Sequence, residues 1–137
     1  MLKNIAAATA FICLLSVPVY AAPDTARTET AIPQNVVTVT DWYKQDVYDP
    51  NNAKIGQVMD VLVDKSGKIA TLIIGVGGFL GAGEKDVAVP FEEVRTTTKD
   101  NKVRLVMNAT KDSLKNAPGF KYDSNSTSWV PDNQSKK

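Results

Sequence analysis

KIGQVMDVLVDKSGKIATLIIGV, residues 54–76, reads as two β-strands and the turn between them. Lys54–Asp64 is rich in β-branched residues, and Gly56 inside it signals a bulge. Lys65-Ser66-Gly67-Lys68 is a turn in which Gly67 supplies a positive φ. Ile69–Val76 is apolar on both faces and should be the most buried strand of the protein.

The pattern continues on both sides. Towards the N-terminus, Asp46–Asp49 is a short strand closed by the turn cluster Pro50-Asn51-Asn52. Towards the C-terminus comes a glycine-rich loop, Gly77–Glu84, and then Lys85–Val89, where Val87 and Val89 face one way and Asp86 the other. Pro90 ends that strand, and Phe91–Val94 makes one helical turn. Arg95–Thr98 and Lys102–Met107 form a second hairpin around Lys99-Asp100-Asn101. Thr110 is the N-cap of a two-turn helix, with Asp112 in its first turn, and Pro118-Gly119 stops the helix by Ala117.

The flanks differ in kind. Residues 1–21 read as a secretory signal peptide. Lys3 gives the positive start, IAAATAFICLLSV (5–17) carries no charge, and Val19-Tyr20-Ala21 permits cleavage before Ala22. The apolar run is shorter than the roughly 20 residues a bilayer span needs, so no stable membrane span is expected after cleavage. Residues 22–41 read as an extended linker with one short β-segment at Val36–Val39. Asp123–Lys137 is rich in Ser, Asn, Asp and Lys and is expected to be disordered, with Trp129 read as a loosely docked aromatic or, in second place, part of a short recognition motif. The folded unit is therefore 42–122.

Composition limits the chemistry. The 137-residue chain has no histidine and one cysteine, Cys13. A Ser-His-Asp or Cys-His catalytic set, a histidine metal site and an intrachain disulfide are all excluded. Cys13 leaves with the signal peptide, so an exported domain must hold together without disulfides, which favours a bacterial periplasm. The 16 basic residues, less Lys3, balance the 15 acidic ones. That balance gives no electrostatic case for nucleic acid.

The residues that invite a functional reading fall short of known chemistries. The loop Gly75-Val76-Gly77-Gly78-Phe79-Leu80-Gly81-Ala82-Gly83 has Leu80 where G-x-G-x-x-G needs glycine, and Gly83 is followed by Glu84-Lys85 where a P-loop needs Lys-Ser/Thr. Asp46, Asp49, Asn51 and Asn52 lack calcium-loop spacing. Asp60 and Asp64 share a strand face at about 13 Å, too far for a carboxylate dyad. Glu84, Lys85 and Asp86 suggest local ion pairs of small value. No catalytic, cofactor or metal residue is assigned. The one surface singled out is the loop Gly77, Gly78, Phe79, Leu80, Gly81, Glu84 and Lys85, which carries two large apolar side chains on a flexible backbone and reads as an interaction loop.

Val47-Tyr48-Asp49-Pro50-Asn51, Lys54-Ile55-Gly56-Gln57-Val58, Asp60-Val61-Leu62-Val63-Asp64 and Gly67-Lys68-Ile69 together resemble a PRC-barrel domain. So do the block from Ile74 to Gly81, the block from Gly83 to Phe91 (GEKDVAVPF) and the ending Ala109–Pro118, which are similar to exported, stand-alone members of that family. The likeness covers about residues 43–122. It implies a mainly β fold, a small closed or partly open β-barrel of about six strands with one short C-terminal helix. It also implies a module that contacts protein partners and is not itself catalytic, as in the photosynthetic reaction-centre H subunit and a ribosome maturation factor. The H subunit's membrane helix and the maturation factor's companion domain are missing from this chain, so neither specific role transfers. The expectation is a non-enzymatic periplasmic binding or scaffold domain with unidentified protein partners. The alternative is a small-molecule or ion-binding barrel in the cell envelope.

Overall fold

The structure is a computed structural model, which describes residues 26–77 and 83–133. The chain divides into two compact units, 1–34 and 35–137. Of the first, residues 26–34 are exposed and without regular structure. The second is mainly β. It contains α1 (Val39–Trp42), β1 (Asp46–Tyr48), β2 (Lys54–Val63), β3 (Ile69–Val76), β4 (Lys85–Pro90), a 3-10 turn (Phe91–Glu93), β5 (Val94–Lys99), β6 (Lys102–Met107), α2 (Lys111–Asn116), β7 (Phe120–Asp123) and β8 (Ser128–Pro131).

Among the described residues the eight strands form one sheet in the order β5-β6-β1-β2-β3-β4-β7-β8. All neighbours are antiparallel except β1 and β6, where Val47 lies beside Leu105 in a parallel pair. The turns follow from their residues. Gly67 takes φ +83°. Between β5 and β6, Asp100 and Asn101 both have positive φ (51° and 60°), as a two-residue turn between right-twisted strands requires.

The sheet is rolled, and its connectivity explains why. β4 and β5 lie at opposite ends of a six-strand run, yet one 3-10 turn joins them. Four Cα steps span at most about 15 Å, whereas six strands laid flat would separate the outer two by about 24 Å. Bulges help the sheet curl. The registers of β2 slip at Ile55 against β1, and those of β2 and β3 slip at Met59 and Ala70. Gly56 stands beside the first slip, as expected. A Cβ there would lie 2.6 Å from Ile74 Cγ2 and 2.9 Å from the Gly75 carbonyl, so only glycine lets the two strands come this close.

The concave face holds the core. Val47, Val58, Leu72, Ile74, Val76, Val87 and Leu105 are fully buried there. Trp42 of α1 stacks on Phe91 with ring centroids 5.0 Å apart, so the aromatic pair lies at the β4–β5 connection. α2 adds Leu114 and has the expected N-cap. Ser113 N donates to Thr110 Oγ1 at 3.0 Å and Thr110 N to Ser113 Oγ at 3.1 Å, a reciprocal capping box.

Three expectations are corrected. Among the described residues the sheet has eight strands where about six were expected, and it is not closed, which leaves the partly open form of the expectation. No ladder joins β4 to β5, and the free side of β4 takes β7 instead, through Asp86 and Phe120. The β-segment foreseen at Val36–Val39 is absent, and the chain makes one turn of helix, Val39–Trp42. The tail is not disordered throughout. Phe120–Asp123 and Ser128–Pro131 pair as a hairpin, and Trp129 lies edge-on to Tyr122 with centroids 5.9 Å apart.

Candidate interaction site

The interaction loop foreseen from sequence is described only at its stems, since Gly78, Phe79, Leu80 and Gly81 lie outside the described residues. Gly77 and Gly83 both take left-handed backbone, φ +91° and +81°. A Cβ on Gly77 would sit 3.1 Å from the Gly83 carbonyl, so the two stems pass closely. Glu84 folds its carboxylate onto Gly75, where any side chain would collide with it. Lys85 turns away from its acidic neighbours. Its ammonium donates to the carbonyls of Lys115 (2.6 Å) and Ala117 (3.1 Å), satisfying the C-terminal end of α2. Lys85 is thus a structural clasp, and the expected pairing within Glu84-Lys85-Asp86 gives way to it.

Beside these stems lies an open cleft of about 380 Å³ lined by Lys54, Gln57, Gly75, Gly77, Glu84 and Lys111. Lys54 is already paired with Asp46 at 2.7 Å, and Gln57 donates to the same carboxylate at 3.3 Å. The lining is polar and of mixed charge, without a nucleophile–base pair in its composition.

The other acidic residues serve the fold. Asp49 accepts from the backbone N–H groups of Asn51 and Ala53, both at 2.8 Å, and so ties the turn that was weighed as a calcium loop. Asp64 accepts from Ser66 N (2.7 Å), Ser66 Oγ (2.6 Å) and Lys68 N (3.1 Å). Asp123 does the same with Asn125 and Ser126 in the β7–β8 turn. Hydrogen bonds to the charged form, foremost that from the Ser66 side chain, hold the Asp64 carboxyl below its ordinary value, and those led by the Ser126 side chain do so for Asp123. Asp86 is the opposite case. Burial first, and the neighbouring Glu84 charge second, push its carboxyl above the ordinary value, and its Oδ1 is buried without a hydrogen-bond partner among the described residues. Among the described residues no group of three or more His, Cys, Asp or Glu side chains is placed to hold a metal ion.

A second surface emerges from strand order. Among the described residues β5 is the last strand of the sheet on its side, and one row of its backbone N–H and C=O groups has no described strand to pair with. Its ladder to β6 runs without a slip through all six residues, Val94 opposite Met107 to Lys99 opposite Lys102. Val94 is buried in the core and every later residue of β5 is exposed. By strand alternation Arg95, Thr97 and Lys99 share the outer face. A cleft of about 290 Å³ lies over the face of β5 and β6 between Pro50, Glu92, Glu93, Arg95, Thr97 and Val106. The opposite edge, β8, has four residues and ends in Pro131. Sequence reading found the strand and missed the edge, because no local signal marks which strand ends a sheet.

A rolled, mainly antiparallel sheet with one long free edge, sealed at its β4–β5 connection by an aromatic pair, defines a small β-barrel-like domain. The chain belongs to the PRC-barrel domain family, whose model matches residues 34–114, more than half of the 137. The match ends at Leu114, so the β7–β8 hairpin lies outside it. No curated protein matches the chain at a significant level.

Proposed function

We propose that this PRC-barrel protein is a non-catalytic interaction or scaffold module of the bacterial periplasm, exported by residues 1–21 and cleaved before Ala22. The observation that carries the reading is the unpaired edge of β5, six residues long, unslipped and exposed beyond Val94. An edge of this length is a template for a partner's backbone. In this reading β1–β6 are the family's six-stranded barrel, partly open between β4 and β5, and β7–β8 are an addition to it. The loop carrying Phe79 and Leu80 is a second contact surface.

The experiment is affinity capture of the tagged chain from envelope extract, run beside an Arg95→Glu/Lys99→Glu variant and a Phe79→Ser/Leu80→Ser variant. The reading expects specific proteins that one or both variants lose. Capture of nothing beyond the tag control overturns it. N-terminal sequencing of exported material should begin at Ala22, and a retained residue 1–21 segment would replace periplasmic release with membrane retention.

The polar cleft beside Gly75 and Gly77 favours the small-ligand alternative in second place. Calorimetry against divalent cations and nucleotides, with neither heat nor a shift in Tm, removes it.

A further inference from the structure

The free edge also specifies the kind of segment it would take. We propose that β5 accepts, by strand addition, an extended peptide of a partner protein bearing two acidic side chains four residues apart. The proposal rests on the protein-interaction reading above and names its partner's chemistry.

The backbone sets the first requirement. β5 offers six consecutive residues, Val94–Lys99, with no proline, glycine or bulge to interrupt a new ladder. Any chain that pairs with it must itself be extended and free of proline at the bonded positions. The centre of the strand is Thr96-Thr97-Thr98, which favours β-branched residues opposite.

Charge sets the second. Within β5 the charged residues are Arg95 and Lys99, both basic and both on the outer face. Four residues of strand place them about 13 Å apart. In either strand direction, partner residues opposite positions 95 and 99 are also four apart and project to the same face. Carboxylates there would each form a cross-strand pair. Acidic residues of this chain bracket the row. Glu92 and Glu93 share the adjoining cleft with Arg95, and Asp100 follows Lys99 in the turn. Across the ladder Lys102 lies opposite Lys99 and Arg104 opposite Thr97 on the same face, Arg104 being held over the Tyr48 ring and bonded to Asn52. On the edge strand itself the positive charges are Arg95 and Lys99, and their separation sets the spacing of the partner's carboxylates. The same two residues oppose self-association. A two-fold antiparallel pairing of β5 with β5 centred on Thr97 would set Arg95 against Lys99 of the second copy, like charges directly opposite.

The test uses the full chain and a synthetic capped heptapeptide, TEVTVET, whose glutamates are four apart. Calorimetry should show binding, and amide hydrogen exchange should slow within Val94–Lys99. Moving one glutamate by a single position turns it to the other face and should weaken binding about two- to fivefold. Arg95→Glu/Lys99→Glu should weaken it about tenfold and make the TKVTVKT peptide the better ligand. Methylating alternate backbone nitrogens of the peptide should abolish binding while leaving its charge. Equal binding by both glutamate spacings, undiminished binding of the methylated peptide, self-association through β5, or no slowing of exchange in β5 would each overturn the proposal. If captured envelope partners persist with Arg95→Glu/Lys99→Glu, the edge proposal falls and the interaction reading stands. If the peptide protects β5 but the chain captures no protein, the edge chemistry stands and the scaffold reading falls.

Discussion

Trp129 donates its indole N–H to the Asp60 carboxylate at 2.7 Å across 69 residues of sequence, and so pins the C-terminal hairpin to the outer face of the sheet. Beside the bond lies a buried residue that is not part of the core cluster. Ile73 is fully buried but stands outside the main core cluster, because strand alternation turns it away from Leu72 and Ile74. Its register neighbours are Asp60 on β2 and Ala88 on β4. Trp129 thus reaches the row that Ile73 occupies.

Replacing Trp129 by Phe removes this donor and keeps most of the ring. A hydrogen bond to a charged group contributes about 1.5–3 kcal/mol, less where the pair is partly exposed. The loss should be local, with amide exchange accelerating in Phe120–Pro131 and at Ile73 while β1, β2 and β6 keep their protection. Unchanged exchange in the hairpin would show that it is held by something other than the Trp129–Asp60 bond.

Asp86 should make the protein less stable as pH rises. Its folded-state pKa is above the ordinary 3.8, through burial first and Glu84 second. The folded state therefore holds the proton more tightly than the unfolded one. The favourable contribution is full below pH 3.8 and is lost as pH climbs through the folded value. Asp86→Asn should raise the urea midpoint at neutral pH, and the gain should vanish below pH 3.8. A variant less stable than the parent at neutral pH would point to an unseen partner for the ionised carboxylate.

Asp64 and Asp123 behave oppositely. Both carboxyls lie below the ordinary 3.8 because turn hydrogen bonds favour the charged form. Their contribution is present above pH 3.8 and is lost as pH falls through the folded values. Asp64→Ala and Asp123→Ala should each lower Tm at neutral pH and converge on the parent in strong acid. A deficit that stays constant with pH would mean that the turns do not depend on the charge.

Two glycines should differ in cost. At Gly56 a methyl group meets Ile74 Cγ2 at 2.6 Å and the Gly75 carbonyl at 2.9 Å, and the backbone atom has nowhere to go. Gly56→Ala should cost about 1–3 kcal/mol in urea unfolding. At Gly75 the nearest obstacle is the end of the Glu84 side chain, which can swing out, although Met59 Cγ remains at 3.0 Å. Gly75→Ala should therefore cost less, and Glu84→Ala should recover part of the loss. The reverse ranking would contradict the close approach of β2 and β3.

Local chemistry made much of this legible in advance. Gly67 marked the β2–β3 turn, Asp100-Asn101 the β5–β6 turn, and Thr110 the start of α2, because each depends on backbone conformations that few residues tolerate. Val87, Val89 and Asp86 declared the faces of β4 by simple alternation. The tail was misread for a physical reason. Asp123–Lys137 has little apolar content of its own, and the hairpin that it completes is held through Trp129 bonded to Asp60 and Phe120 paired with Asp86, both distant in sequence. Val36–Val39 was misread in the other direction. β-branched composition called for a strand, but Trp42, buried against Phe91, draws the adjoining residues into a helical turn.

The candidate sites divide in the same way. The sequence by itself determined strands β1 to β6, their turns, the family and the absence of histidine chemistry, because these follow from residue type and near-neighbour spacing. Only the tertiary structure decided that Lys85 clasps α2, that Asp49, Asp64 and Asp123 tie turns, that β7 takes the free side of β4, and that β5 is left as an open edge. Those outcomes depend on which strands become neighbours when a rolled sheet buries its apolar face, and strand order is settled by the packing of the whole chain.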